Sequence, residues 1–212
     1  MKYFKHQQYR NNNLFSLLLV LVSCASLISC TNSNEDRSDV TENYKLLATT
    51  THLADLARQI GGDRIEVDAL MGAGVDPHSY RASAEDIARL HEADFILFHG
   101  LSLEGKIARV LQETKRKGKV HFSPCEEIPR NKLIFTNDTN QTVDPHLWFD
   151  PDLWISCAQA LTLKLSQVMP EEQSFFKANL SAFKASVRTI DRWGKSLLLS
   201  IPKIQRILIT SH

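Results

Sequence analysis

Neither sign of charge dominates this chain. It carries 25 Lys and Arg against 24 Asp and Glu, a formal net charge of +1, so nothing electrostatic points to a nucleic-acid partner. Glycine (8) and proline (7) are scarce among 212 residues, while hydrophobic residues make up 43%, which excludes collagen-like, coiled-coil and wholly disordered classes. Long apolar runs are missing as well. The stretch from Leu14 to Ile28 holds no charge, but it is about 15 residues long, short of the roughly 20 that a membrane-spanning helix needs.

That short run has the flanks of an export signal. Lys2, Lys5 and Arg10 supply a basic start, and Leu27-Ile28-Ser29-Cys30 closes the segment. A signal anchor retained in the membrane is the alternative. Leu-Ile-Ser-Cys resembles the lipobox of bacterial lipoproteins, which makes Cys30 the lipid-modified first residue of the mature chain. Residues 31–43, rich in Asn, Ser, Thr, Asp and Glu, cannot join a core and read as a flexible tether. Removing residues 1–30 takes away three bases and no acid, leaving 22 bases against 24 acids and a formal charge of −2. It also leaves Cys125 and Cys157 as the remaining cysteines. Cys157 falls on the apolar face of a predicted helix, so two buried thiols are expected, while pairing depends on a Cα geometry that sequence does not supply.

From Tyr44 onward, strand-like and helix-like segments alternate. Lys45–Thr50 reads as a strand and His52–Gln59 as a helix stopped by Gly61-Gly62. Arg64–Leu70 alternates as a second strand. Ser83 with Asp86 fits a capping box for a helix through Ile87, Leu90 and His91. Ala93–Phe98 is continuously apolar, as for a strand covered on both faces. A helix over Leu103–Lys117, a short strand over Lys119–Phe122 and a loop-rich stretch over Ser123–Val143 follow. This is an α/β pattern with a mainly parallel sheet flanked by helices. Asp150-Pro151 then reads as N-cap and first residue of a further helix. Pro170 precedes a long helical stretch, Glu171–Leu199, ended by Pro202. Arg206–Thr210 is expected to be a strand, stopping at Ser211-His212.

Candidate chemistry lies in two loop segments, Asp76-Pro77-His78-Ser79-Tyr80 and Asp144-Pro145-His146-Leu147-Trp148-Phe149-Asp150-Pro151. In each, Asp-Pro holds an extended turn and presents a histidine just ahead of a helix. In open α/β sheets ligands gather beyond the carboxyl ends of the strands, so His78 and His146 can converge there. His212, directly after the last predicted strand, holds an analogous place. Three imidazoles with a carboxylate or water suit a tetrahedral divalent ion. His52, His91, His99 and His121 have no such frame and are read as structural; Tyr80, Trp148 and Trp154 are expected to wall a pocket or fill the core.

The segments Val75–Tyr80, Ala84–Gly100 followed by Leu101-Ser102-Leu103-Glu104, Asp144–Pro151 and Ile209–His212 together resemble the cluster A-I metal-binding proteins of ABC importers. These are bacterial solute-binding receptors (family 9) for zinc, manganese or iron. The resemblance implies two α/β lobes joined by one long helix, with the metal in the cleft between them. It maps residues 44–169 onto the amino-terminal lobe, 170–201 onto the connecting helix and 202–212 onto the start of a carboxy-terminal lobe that is otherwise truncated. It assigns His78, His146 and His212 as metal ligands and places the fourth, acidic ligand beyond this chain.

The implied function is an exported, lipid-anchored receptor that hands a divalent metal to an ABC permease and its ATPase subunit, with no nucleic acid involved and no enzymatic step. Zinc ranks first, because histidine stands at the third ligand position; manganese and iron follow, since the 123–143 loop lacks the histidine-rich insertion of many zinc receptors. The alternatives are a surface adhesin or interaction protein, an inactive truncated receptor, and a metal-dependent hydrolase. The hydrolase would need a general base that neither Asp-Pro-His segment supplies.

Overall fold

The structure, a computed structural model, describes residues 44–116, 118–136 and 142–209. The predicted signal and tether, with Cys30, and the terminal His212 lie outside the described residues. Four strands, β1 (Tyr44–Ala48), β2 (Ile65–Ala69), β3 (Phe95–Leu97) and β4 (Val120–Phe122), form one wholly parallel sheet in the order β2-β1-β3-β4. The chain builds outward from β1 in one direction and from β3 in the other. The loops after these two strands therefore diverge at the point where the strand order reverses, which is where parallel sheets open a crevice.

Successive residues of each strand feed opposite faces. Leu46, Ala48, Phe95 and Leu97 enter a core shared with α1 (Thr51–Gly61), α4 (Pro151–Val168) and α5 (Gln173–Ser200). Leu47 and Ile96 enter a second core with Leu90 of α2 (Ala84–Glu92) and Ile107 and Leu111 at α3 (Ala108–Arg116). Burial on both faces is why β3 has no polar residue.

Local chemistry sets most helix boundaries. Thr50 caps α1, whose other end is closed by Gly62 at φ +56°, where a Cβ would sit 2.8 Å from the Phe175 ring. Ser83 and Asp86 form the expected capping box of α2. The Asp150 carboxylate accepts from the Asp152 and Leu153 N–H groups, with Pro151 at the first helical position of α4. Pro170 starts a short 3-10 turn, Pro170–Glu172, that runs directly into α5. Asn179 on α5 donates to the Ile60 carbonyl at the end of α1 at 2.9 Å, fixing the long helix across α1.

Two sequence expectations are corrected. The helix read from Leu103 begins at Ala108, because Leu101–Ile107 is consumed in turns that bury Leu103, Glu104 and Ile107. Arg206–Thr210, read as the first strand of a second lobe, is described as far as Ile209 and over that stretch pairs with no strand among the described residues. It follows a 3-10 turn, Lys203–Gln205, with Ile207, Leu208 and Ile209 79–88% exposed. An apolar pattern alone does not make a strand; its backbone groups need a neighbour. Along α5, burial ends near Phe183, and Ile190, Trp193, Leu198 and Leu199 face outward. No helix among the described residues is long and apolar enough to cross a membrane.

This division of α4 and α5 has a measurable consequence. Leu161→Ala, at a fully buried position, should cost roughly 2–5 kcal/mol in urea unfolding, whereas Trp193→Ala, 63% exposed, should stay within about 0.5 kcal/mol. Equal losses would place the outer half of α5 in a core.

Candidate metal centre

The two Asp-Pro-His segments fold into the same local turn. Asp76 Oδ1 accepts the His78 backbone N–H at 2.9 Å, and Asp144 Oδ1 accepts that of His146 at 3.0 Å. In each, a carboxylate reaches over the proline to hold the histidine two residues on. Ser79 Oγ adds a 2.6 Å hydrogen bond to Asp76 Oδ2, and this bond and the His78 N–H hold the Asp76 carboxyl below its ordinary pKa. His78 stands in the loop between β2 and α2. His146 leads the 3-10 turn Leu147–Phe149 that feeds α4.

The structure brings these two histidines together across 68 positions of sequence, with Nε2 atoms 3.5 Å apart. His146 Nδ1 lies 2.6 Å from Asp144 Oδ1. A carboxylate only accepts, so Nδ1 carries a proton and Nε2 is the nitrogen turned towards His78. Two zinc–nitrogen bonds of about 2.05 Å at the tetrahedral angle span about 3.3 Å between nitrogens, so the observed spacing fits one shared ion. Among the described residues no group of three His, Cys, Asp or Glu is gathered as a metal site; His212 lies outside them, so the pair is what the structure assembles of the predicted set.

Trp148 organises the wall. His146 meets its ring edge-on at 5.2 Å, His99 does the same at 5.2 Å, and His52 stacks on it at 4.6 Å with the planes 16° apart. Trp148 thus walls the site as expected, while Tyr80 packs against the second core and donates to Asp86 Oδ2 at 2.6 Å, its own pKa pushed up to about 12 by burial and this bond. Cavities of about 300 Å³, lined by His52, Asp76 and Trp148, and about 410 Å³, lined by His78, Ser102 and Arg130, border the pair.

Beneath the wall lies His99, which the sequence reading left as merely structural. It is fully buried, and its Nε2 is 2.5 Å from the Pro145 carbonyl, the residue preceding His146. Burial lowers its pKa to about 4, so the ring is neutral, Nε2 carries the proton for Pro145, and Nδ1 accepts from the Cys125 thiol at 3.6 Å. Glu104 is the other residue that sequence did not single out. Its Oε1 accepts from Thr49 Oγ1 at 2.5 Å and the His99 N–H at 2.6 Å, and its Oε2 from the Gly100 N–H at 3.0 Å. Burial pushes the Glu104 pKa up while these donors pull it down. The clamp holds a run of left-handed residues, Gly100 (φ +76°), Leu101 (φ +52°) and Ser102 (φ +66°), of which the last two are conformations that side chains disfavour. His121, by contrast, stays structural, with Nε2 3.1 Å from Thr114 Oγ1.

The depressed His99 pKa makes the metal-free chain acid-labile. Protons bind the unfolded state first, so stability falls as pH drops from about 6.5 to about 4, by roughly 3 kcal/mol from His99 if its burial persists. Urea titrations across that window should show this slope, and His99→Gln should reduce it, the remainder coming from His121, whose pKa burial also lowers to about 4; an unchanged slope would assign the acid sensitivity elsewhere.

Comparison with known proteins identifies the family and the fold. The family model for the zinc-uptake complex component A, periplasmic (ZnuA), matches residues 46–212. The manganese-binding lipoprotein MntA of Bacillus subtilis is 37% identical over 193 residues, covering 91% of this chain and 62% of MntA. The solved periplasmic zinc-binding protein TroA of Treponema pallidum superposes with a TM-score of 0.75 at 30% identity, covering 80% of this chain and 60% of TroA. A crystal structure of ZnuA shares the fold, with a TM-score of 0.69 at 22% identity over 76% of this chain and 61% of that one. The chain thus spans about three-fifths of the length of the relatives it matches. With the family match running over well more than half of the chain, the chain belongs to the ZnuA family of periplasmic zinc-uptake components.

Proposed function

We propose that this chain is the metal-capturing part of an exported receptor for an ABC import system, taking zinc or manganese through His78, His146 and His212 and delivering it to a permease driven by an ATPase. The observation that carries the reading is the convergence of the His78 and His146 Nε2 atoms to 3.5 Å, with the second Nδ1 occupied by Asp144. Imidazole nitrogens suit zinc by ligand preference. Relatives named for manganese (MntA) and for zinc (TroA) support both metals. These relatives are named as binding proteins, which supports a receptor rather than an enzyme.

In this reading residues 44–169 are the lobe that offers two histidines, 170–201 the connecting helix, and 202–212 the approach to the third histidine at position 212. The apolar outer half of α5 is the part of the connecting helix that continues past this lobe. Residues 1–30 direct export, and Cys30 takes the lipid that holds the receptor at the outer face of the membrane, with 31–43 as its tether. The lipoprotein names of MntA and other relatives support that anchor.

Competitive titration of the chain with zinc, manganese and ferrous iron tests the site. Asp144→Ala, which removes the carboxylate held by His146 Nδ1, should weaken binding roughly 10–100-fold. His78→Ala and His146→Ala should each weaken it more than that, and His121→Gln should leave it unchanged. Equal losses from all four would mean a folding defect rather than ligand loss. For the anchor, Cys30→Ser should move the protein from the membrane fraction to the soluble one; continued retention would favour an uncleaved anchor.

A further inference from the structure

Cys125 and Cys157 do not touch the histidine pair, yet Cys125 is linked through His99 to Pro145, the residue preceding His146. Cys125 lies in the turn after β4 and Cys157 within α4. Both side chains are fully buried, and their sulfurs are 3.6 Å apart across 32 positions of sequence. The segment between them carries Asp144, Pro145, His146 and Trp148. A line of hydrogen bonds joins the sulfurs to that segment. Cys157 donates to Cys125, Cys125 to His99 Nδ1, and His99 Nε2 to the Pro145 carbonyl.

We propose that Cys125 and Cys157 are an oxidisable dithiol whose disulfide closes a covalent ring around the segment that carries His146. The two sulfurs already face each other at contact distance, so reaching a bond of about 2.05 Å asks for a closure of roughly 1.5 Å. They come from two elements, the β4 turn and α4, so the bond fastens the edge of the sheet to the helix packed over it.

The closed fold protects the thiols. The hydrogen bond between them and their burial both raise the Cys125 pKa, so the thiolate that exchange requires is scarce there. The reaction therefore runs while α4 is still off the sheet, during folding or in an opening of that layer. With a small-molecule disulfide such as oxidised glutathione as donor, one cysteine thiolate attacks a donor sulfur and expels one thiol. The second cysteine thiolate then attacks the first cysteine's sulfur and expels the other. Two protein thiols lose two protons and two electrons, and the donor leaves as two thiols. The product restricts the unfolded ensemble through the ring it closes. It also removes the S–H that His99 Nδ1 accepts, leaving that imidazole held by Pro145 and Trp148.

The test uses the full chain, reduced and denatured, then refolded either with oxidised and reduced glutathione or with excess reductant. Remaining thiols are alkylated, and peptides are mapped without reduction. The expected result is one cross-linked peptide pair holding Cys125 and Cys157, with Tm roughly 10 °C above that of the reduced chain. Amide exchange across residues 142–149 should slow in the oxidised form. Chain folded under reductant and only then moved to the glutathione mixture should cross-link far more slowly than refolding chain. The Tm difference between oxidised and reduced samples should persist in a Cys24→Ser, Cys30→Ser background and vanish in Cys157→Ser. Since each chain is compared with itself in two redox states, a loss of baseline stability in Cys157→Ser does not obscure the result. Full alkylation of Cys125 and Cys157 after oxidative refolding, or cross-links running to Cys24 or Cys30 instead, would overturn the proposal. No metal enters the experiment, so its outcome is independent of the metal-receptor reading.

Discussion

One buried carboxylate holds the working end of this sheet together. Glu104 takes hydrogen bonds from Thr49, just past β1, and from His99 and Gly100, just past β3. Those are the two strands between which the strand order reverses, so a single side chain ties both lips of the crevice. An acid at this depth is costly unless its oxygens are satisfied, and three donors satisfy them. The left-handed turn through Leu101 and Ser102 follows from the same clamp, since the chain must double back to bring Glu104 under the strand ends. His99 is fixed by its backbone to Glu104 and by its ring to Pro145, and so passes the alignment of β3 to the loop that carries His146.

The histidine pair is accordingly assembled from two kinds of constraint. The Asp-Pro-His turns are local and repeat the same hydrogen bond, which orients each histidine relative to its own loop. The relation between the loops is long-range, set by the sheet, by Trp148 and by the His99 link to Pro145. The local part would survive in a short peptide; the long-range part exists only in the folded lobe. Neutrality at His99 suits this position, because a second charge beneath the imidazoles would oppose a cation above them.

What was legible in the sequence divides along the same line. The capping box at Ser83 and Asp86, the Asp150-Pro151 helix start, the apolar β3 and both Asp-Pro-His turns depend on residues within a few positions of one another, and the structure shows each of them. Glu104 was not legible, because its first partner, Thr49, is 55 positions away and nothing in Leu101-Ser102-Leu103-Glu104 separates a buried clamp from the start of an amphipathic helix. His99 and His52 were passed over for the same reason, although their places directly after β3 and β1 were a positional signal that treating each strand end alike would have caught. Arg206–Thr210, described as far as Ile209, shows the opposite error. Its apolar pattern suits a strand, but a strand is a relation between segments, and the described residues hold no neighbour for it.

The docking of α5 across α1 sets an order on how the lobe is made. The Asn179 bond to the Ile60 carbonyl spans 119 positions, and Phe176 and Phe183 complete the core that begins with Leu46. Until residues near 183 are available, the face of the sheet beneath α1 and α4 stays open, and the parallel pairings must bear their loop-closure entropy without that reward. Folding of the first strand therefore waits on chain made more than a hundred residues later. A polypeptide emerging amino-terminus first remains threadable until those residues have been made, its histidines far apart, and gains the power to gather them only when the long helix settles back onto α1.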